Sequence, residues 1–280
     1  MKVVVTGATG FVGSYTVKCL LLKGYEVVSI TTNKSITNEL KEMLKGSEIV
    51  TINSLEDVSS RLIKNNCIIH CAWSNVQNTL ALSHYFHAFE QIKFIEKLSI
   101  HKPKKLIITG TCSEFGLSTG PVSINDQTQP NTPYAQAKEF VRFAADKIIN
   151  ESAKIDLVWA RLFYMYGKGQ HDKSIYTQLL TAIKNDEVSF NMSKGEQLLD
   201  YMQVDEVADK LTYLVQNKSS QIVHICNGYP TLLRSLVESI IQEYNSSISL
   251  NLGYYQYRAQ DSMKLWGSES FDSQMQRFEN

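Results

Sequence analysis

Tyr134 and Lys138 frame the segment Tyr134-Ala135-Gln136-Ala137-Lys138. On a helix this i, i+4 spacing sets a phenol and an ammonium on one face, a turn apart. A phenol gives or takes a proton, and a nearby cation favours phenolate. The lysine is therefore expected to pull the tyrosine down from its ordinary value of about 10 toward working pH. Pro133 suits the first turn of such a helix. Upstream, Leu106-Ile107-Ile108-Thr109 reads as a buried strand running into Gly110-Thr111-Cys112-Ser113-Glu114-Phe115-Gly116. An open parallel sheet presents side chains to its ligand at such strand ends.

A second chemistry is written at the start of the chain, in Val3-Val4-Val5-Thr6-Gly7-Ala8-Thr9-Gly10-Phe11-Val12-Gly13. Three β-branched residues suit a central parallel strand. Gly7 and Gly10 permit a tight turn and close approach to a pyrophosphate, and Gly13 lets the next helix pack on the sheet. That helix would aim free N–H groups at the phosphates. Gly7, Thr9, Gly10, Phe11, Val12 and Gly13 are thus expected dinucleotide contacts. Thr31-Thr32-Asn33-Lys34 follows the second expected strand and contains no acid. A carboxylate there would bind the ribose hydroxyl of NAD and repel a 2′-phosphate, so Thr32, Asn33 and Lys34 favour NADP(H) over NAD(H).

These residues need elements to hold them. Strands are predicted at 2–6, 26–31, 67–71, 105–110, 156–162 and 222–226, alternating with helices near 12–23, 79–100, 133–150 and 204–216. The alternation predicts an α/β fold, a Rossmann-type doubly wound parallel sheet. Helices near 174–184 and 232–244 and a strand near 248–253 break that rhythm and predict a smaller interleaved α/β substrate lobe. The dinucleotide-binding domain would comprise 1–165 and receive about 203–227, with 166–202 and 228–280 forming the lobe. The 280 residues suffice for both, and 28 basic residues balance 28 acidic ones, so nucleic acid and anionic membrane are not expected partners. Met1-Lys2 leads straight into the first strand and no apolar run spans a bilayer, so the expected location is the cytoplasm. Five cysteines without metal-ligand spacing are expected to be reduced, and no metal is expected.

The chain resembles the extended short-chain dehydrogenases/reductases that act on nucleotide sugars, the NAD-dependent epimerase/dehydratase family, over roughly residues 1–265. Four ordered signatures carry the resemblance: the glycine loop, His70-Cys71-Ala72-Trp73, the Thr111 strand end, and Tyr134 with Lys138. It implies that Thr111 holds the substrate oxygen beside Tyr134. It also implies that Lys138 anchors the nicotinamide ribose and that Cys71, Ala72 and Trp73 border the cofactor. Cys112-Ser113 stand where the family's 4,6-dehydratases carry Asp-Glu. Gly-Thr-x-x-Glu-Phe-Gly and the late Tyr257-Arg258-x-x-Asp261-Ser262-Met263 are similar to reductases of 4-keto-6-deoxy nucleotide sugars.

The implied activity is NADPH-dependent reduction at C4, with Trp73, Thr111, Cys112, Ser113, Tyr164 and Arg258 as substrate contacts. An NDP-sugar 4-epimerase with retained NAD, or a non-catalytic cofactor sensor, is the alternative. Several positions depart from the pattern. Leu199 replaces an expected diphosphate-binding arginine and leaves Arg258 as the clamp, Tyr164 replaces an asparagine, and no final helix is expected after Trp266-Gly267. The resemblance further implies a homodimer built on the helices near 79–100 and 133–150. His84, His87 and His101 lie along or just past the first of these without metal spacing and are expected at the surface or an interface.

Overall fold

The computed structural model describes residues 2–152, 155–219 and 221–279. The chain begins β1 (Lys2–Thr6), α1 (Phe11–Leu22), β2 (Glu26–Thr31), α2 (Asn38–Met43), β3 (Glu48–Thr51), α3 (Ser60–Ile63), β4 (Cys67–His70), α4 (Ser83–His101), β5 (Lys105–Thr111) and β6 (Gly120–Val122). It continues through α5 (Pro133–Ser152), β7 (Asp156–Leu162), β8 (Tyr164–Tyr166), α6 (Ile175–Lys184), β9 (Ser189–Met192), β10 (Leu198–Leu199), β11 (Tyr201–Gln203) and α7 (Val204–Tyr213). Last come β12 (Ile222–Ile225), β13 (Thr231–Leu232), α8 (Leu233–Glu243), β14 (Ser249–Leu252), β15 (Lys264–Gly267) and α9 (Phe271–Glu279).

Seven parallel strands form one sheet in the order β12-β7-β5-β4-β1-β2-β3. After β1 the chain fills one side of the sheet and then returns to the other, so a crevice opens beyond the carboxyl ends of β1 and β4. Both faces of the sheet are covered over its central strands, which is why β1, β2 and β4 are largely buried along their whole length rather than alternating. Val3 and Val5 pack with Val17 and Leu20 of α1 and Val207 and Leu211 of α7. Val4, between them, faces the opposite layer, which holds Phe94 and Leu98 of α4 and Val141 and Ala145 of α5. The smaller lobe has its own core, with Leu179, Phe190, Met192, Leu236, Val237 and Ile240 at its centre.

Three elements differ from expectation. The edge strand β3 was not expected, because Glu48–Thr51 buries almost nothing and has no apolar pattern; its register with β2 holds it. The helix expected from Thr79 starts instead at Ser83, since the Thr79 carbonyl is engaged by the Tyr134 amide at 3.1 Å. The absence of a final helix was wrong. Phe271 and Met275 of α9 join the core beneath α1 and α7. Gln274 accepts from the His224 amide at 2.9 Å and donates to the His224 carbonyl at 3.1 Å, covering the free edge of β12. Residues 271–279, assigned from sequence to the smaller lobe, therefore pack on the large sheet. Likewise β6, assigned to the dinucleotide domain, pairs with β15 in a four-stranded sheet ordered β13-β10-β15-β6.

At the carboxyl end of β4, His70 accepts from the Thr6 hydroxyl at Nδ1, 2.6 Å away, and donates from Nε2 to the Gln91 side chain of α4. Burial holds this imidazole neutral, pushed down to about 4, and holds His224 down to about 3. Between those values and about 6.5 the unfolded chain binds protons that the folded chain does not, so stability falls as pH falls through that window. Urea unfolding at neutral pH and near pH 5 should show wild type losing about 1 to 3 kcal/mol. His70→Asn, which cannot titrate, should lose distinctly less over the same interval.

Candidate active site

The β1–α1 turn is shaped by close approach. A Cβ on Gly7, whose φ is +68°, would stand 2.8 Å from the Ala72 backbone, and one on Gly13 would stand 2.1 Å from the Gly7 carbonyl oxygen. The turn thus lies directly on Cys71 and Ala72. Gly10 caps α1 without a side chain, and the first turn of the helix carries no acid. Its amides at Phe11, Val12 and Gly13 precede the first helical bond, from Ser14 N to Gly10 O. An uncapped, unblocked helix start behind a collapsed glycine turn fits the pyrophosphate of a dinucleotide.

At the neighbouring strand end, Thr9 Oγ1 lies 2.8 Å from Thr31 Oγ1 and accepts from Asn33 Nδ2 at 3.0 Å. Thr9 and Thr31 therefore brace the loop, while Thr32, Asn33 and Lys34 are exposed at the crevice edge where an adenosine ribose belongs.

Thr111 closes β5 and caps the short turn Cys112–Phe115. Its hydroxyl accepts from Ser113 N at 3.2 Å, and Glu114 Oε1 accepts from Thr111 N at 2.9 Å. Glu114 also accepts from Trp159 Nε1 at 3.1 Å and from Arg161 Nε at 2.6 Å, and all of these groups are buried. Burial pushes the Glu114 carboxyl up while Arg161 and the Thr111 amide pull it down. Gly110 makes the room, because a Cβ there would meet Trp159 Nε1 at 2.1 Å. Glu114 received no role from sequence, although Thr111-x-x-Glu114 has the spacing of a capping box and could have revealed it.

The first turn of α5 brings Tyr134 and Lys138 against the same strand end. Lys138 Nζ donates to the Thr109 carbonyl at 2.8 Å and sits 4.1 Å from the centre of the Trp73 ring. Burial pushes the ammonium down to about 8. Burial also pushes the half-buried Tyr134 phenol above its ordinary value, opposed by a hydrogen bond with Thr111 and reinforced by Glu114 and Cys112. The expected lowering by Lys138 does not occur, because the ammonium is directed at Thr109 and Trp73 and burial outweighs the remaining terms. The result is a protonated phenol and a titratable amine beside a fixed hydroxyl, which suits proton donation to an oxygen. His84, expected at the surface or an interface, is instead wholly buried within the chain and accepts from Trp73 Nε1 at 3.1 Å.

Next to this cluster lies a cleft of about 710 Å³ whose wall includes Ser113, Tyr164, Gln197, Leu199, Tyr201 and Arg258. Ser113, Tyr164 and Arg258 are thus brought together at one cavity. Arg258 is exposed and paired with Asp261 at 2.8 Å. Trp73, Thr111 and Cys112 do not line it. Cys112 is turned into an apolar seam with Phe115, Val122, Phe163 and Leu199, and burial pushes its thiol up. It is a packing residue, because the capped turn directs the next side chain, Ser113, outward instead. Among the described residues no helix is long and apolar enough to cross a membrane, and no cluster of His, Cys, Asp and Glu is placed to hold a metal.

The model of the NAD dependent epimerase/dehydratase family matches residues 3–226, and the chain belongs to that family, as an NAD(P)-dependent oxidoreductase of the extended short-chain dehydrogenase/reductase type. It is 30% identical over 273 residues to a dTDP-6-deoxy-L-talose 4-dehydrogenase (NAD(+)) of Aggregatibacter actinomycetemcomitans, covering 96% of this chain and 100% of that protein. A CDP-abequose synthase of Salmonella muenchen is 23% identical over 284 residues, covering 96% and 90%. The solved UDP-N-acetylglucosamine 4-epimerase of Methanobrevibacter ruminantium M1, in complex with UDP-N-acetylmuramic acid, shares the fold with a TM-score of 0.85 at 23% identity, covering 98% and 91%.

Glu114→Gln should destabilise the protein by roughly 3 kcal/mol, since it leaves the buried Arg161 guanidinium without its counter-charge. Denaturant unfolding of the variant at neutral pH measures this, and a loss below about 1 kcal/mol would mean that the pair is not coupled as its geometry implies.

Proposed function

We propose that this chain is an NADPH-dependent reductase of the C4 ketone of a nucleoside-diphosphate 4-keto-6-deoxyhexose, working in deoxysugar and surface-polysaccharide (O-antigen) biosynthesis in the cytoplasm. The observation that carries the reading is the convergence of Thr111, Tyr134 and Lys138 at the end of β5, beside the cleft walled by Ser113, Tyr164 and Arg258. When bound, the nicotinamide supplies hydride to the keto carbon. Tyr134, kept protonated by burial, gives its proton to the carbonyl oxygen, and the Thr111 hydroxyl holds that oxygen in place. Lys138 would hold the nicotinamide ribose, and its positive charge would ease loss of the Tyr134 proton once the oxygen is seated.

The amides of α1 would hold the pyrophosphate, and Thr32, Asn33 and Lys34 the 2′-phosphate. Cys112 and Ser113 offer no acid–base pair for removing water, which supports a reductase over a dehydratase. The named activity of the Aggregatibacter relative, oxidation at C4 of a 6-deoxy nucleotide sugar, is the same hydride transfer in reverse.

Residues 1–165 apart from β6, about 203–227 and 271–279 would form the dinucleotide-binding part, and β6 and 166–202 with 228–270 the substrate lobe. A homodimer is supported by the exposed aromatics Phe86 and Phe89 of α4 and Phe140 and Phe143 of α5, of which Phe89 and Phe140 meet edge to face across the two helices. A second reading, a nucleotide-sugar 4-epimerase, is favoured by the likeness to a UDP-glucose 4-epimerase of Neisseria meningitidis serogroup C, 23% identical over 292 residues. An epimerase retains its NAD, so a dinucleotide released from purified, denatured protein in stoichiometric amount would select that reading.

Reduced-cofactor oxidation against a panel of enzymatically made 4-keto-6-deoxy sugar nucleotides should show turnover, faster with NADPH than with NADH. Tyr134→Phe should retain cofactor affinity and lose on the order of a hundredfold in kcat. Equal use of both cofactors would remove the NADPH assignment, and wild-type turnover by Tyr134→Phe would remove the proton donor. For the diphosphate, Arg258→Ala should raise KM for the sugar nucleotide about tenfold or more and leave cofactor affinity unchanged. An unchanged KM would mean that the lobe holds a ligand without a diphosphate.

A further inference from the structure

Trp73 and His84 lie outside the proton-transfer set, yet their geometry bears on it. Trp73 follows β4 in the loop 71–82, and its indole face lies 4.1 Å from Lys138 Nζ. The Tyr134 ring stands edge-on to it, with centroids 6.0 Å apart, and edge-on to His84 at 5.2 Å. The indole has one hydrogen to give, and it goes to His84 Nδ1 at 3.1 Å. With Nδ1 accepting, the His84 proton must sit on Nε2, which donates to the Asn78 carbonyl at 2.9 Å. A single buried imidazole therefore ties both ends of the segment from Trp73 to Asn78 to the start of α4. The adjacent Thr79 carbonyl accepts from the Tyr134 amide.

We propose that His84 is a positioning residue for the acid–base pair, locking the Trp73 indole beneath the Lys138 ammonium and against the Tyr134 ring by accepting the indole hydrogen. Only one charge state of His84 serves. An imidazolium would turn Nδ1 into a donor facing another donor and release the indole. The charged and titratable groups around His84 agree with the neutral form. Burial holds the imidazole below its ordinary value, and His87 and Lys138 act in the same direction against the single Asn78 carbonyl. The indole face in turn stabilises the ammonium of Lys138, which is otherwise desolvated beneath Thr109.

This role rests on Tyr134 and Lys138 acting as proposed above, so the deciding measurement uses no substrate. Competitive acetylation of the folded protein, read at Lys138 by peptide mass spectrometry across neutral to alkaline pH, reports the midpoint of that amine. His84→Ala frees the indole and should lower the midpoint by about half a pH unit or more. His84→Asn, whose side-chain oxygen can replace the Nδ1 acceptor, should restore it. With a 4-keto sugar nucleotide, His84→Ala should lower kcat about tenfold with little change in KM, as expected for a lost orientation rather than a lost contact.

A midpoint that stays or rises in folded His84→Ala overturns the proposal. If that variant does not fold, His84→Phe decides, since it keeps a ring at position 84 and the whole indole beneath Lys138 and deletes only the nitrogen acceptor. A lowered midpoint then supports the lock and an unmoved one overturns it. A lowered midpoint in a protein that reduces no sugar nucleotide supports the lock and removes the substrate reading alone.

Discussion

A carboxylate with no access to water lies at the end of the central strand, and the site is organised around satisfying it. Glu114 would be costly to ionise there alone, because desolvation of an unpaired charge exceeds most single interactions in a folded protein. Burial raises its carboxyl, and Arg161 from β7, the indole N–H of Trp159 and the Thr111 amide all converge on it to oppose that rise. Each of those donors is thereby fixed. Arg161 also lies over the Phe115 ring, with its centre 4.8 Å away, so the turn that exposes Ser113 is pinned on both sides. The position of the Thr111 hydroxyl follows from the need of a buried charge for hydrogen bonds rather than from any local preference of threonine.

Burial then sets the chemistry of the groups that face this strand end. The same desolvation that raises Tyr134 lowers Lys138, since in both cases the charged form is disfavoured. A phenol that stays protonated and an ammonium near its titration point form a donor and an adjustable positive charge. Proximity of Tyr134 to Lys138 in sequence suggested a different outcome, a phenol drawn toward phenolate. That outcome needs a cation aimed at the hydroxyl, and here the cation is aimed at the Thr109 carbonyl and the Trp73 ring.

The smaller lobe is joined to this centre through an apolar seam, in which Cys112, Phe163, Leu199 and Leu265 interlock. Leu199, at the position where an arginine was expected from the resemblance, is buried in the seam instead. An aliphatic side chain fills the joint between the lobes, and the cleft wall carries Arg258 and Lys173 as its cations. Asp200, next in the chain, turns inward and accepts from the amides of Asn227 and Gly228, each at 2.8 Å, so this segment ties β12 to the lobe as well.

Sequence by itself determined the parts in which local pattern and chemistry coincide. Unbroken valines before a glycine turn require a strand buried on both faces, and Gly7 and Gly13 stand where any side chain would collide. The order of strands and helices was legible for the same reason, as was the pairing of Tyr134 with Lys138 on one helical face. Tertiary structure alone decided what depends on neighbours distant in the chain. Glu114 became an anchor because Trp159 and Arg161 arrive from another strand, and Cys112 became core while Ser113 faced the cleft because the capped turn rotates them apart. His84 was buried because the indole of Trp73 needed an acceptor. The exposed edge strand β3 and the helix α9 were invisible locally, for a few residues bury too little to leave a pattern until the sheet edge they cover exists.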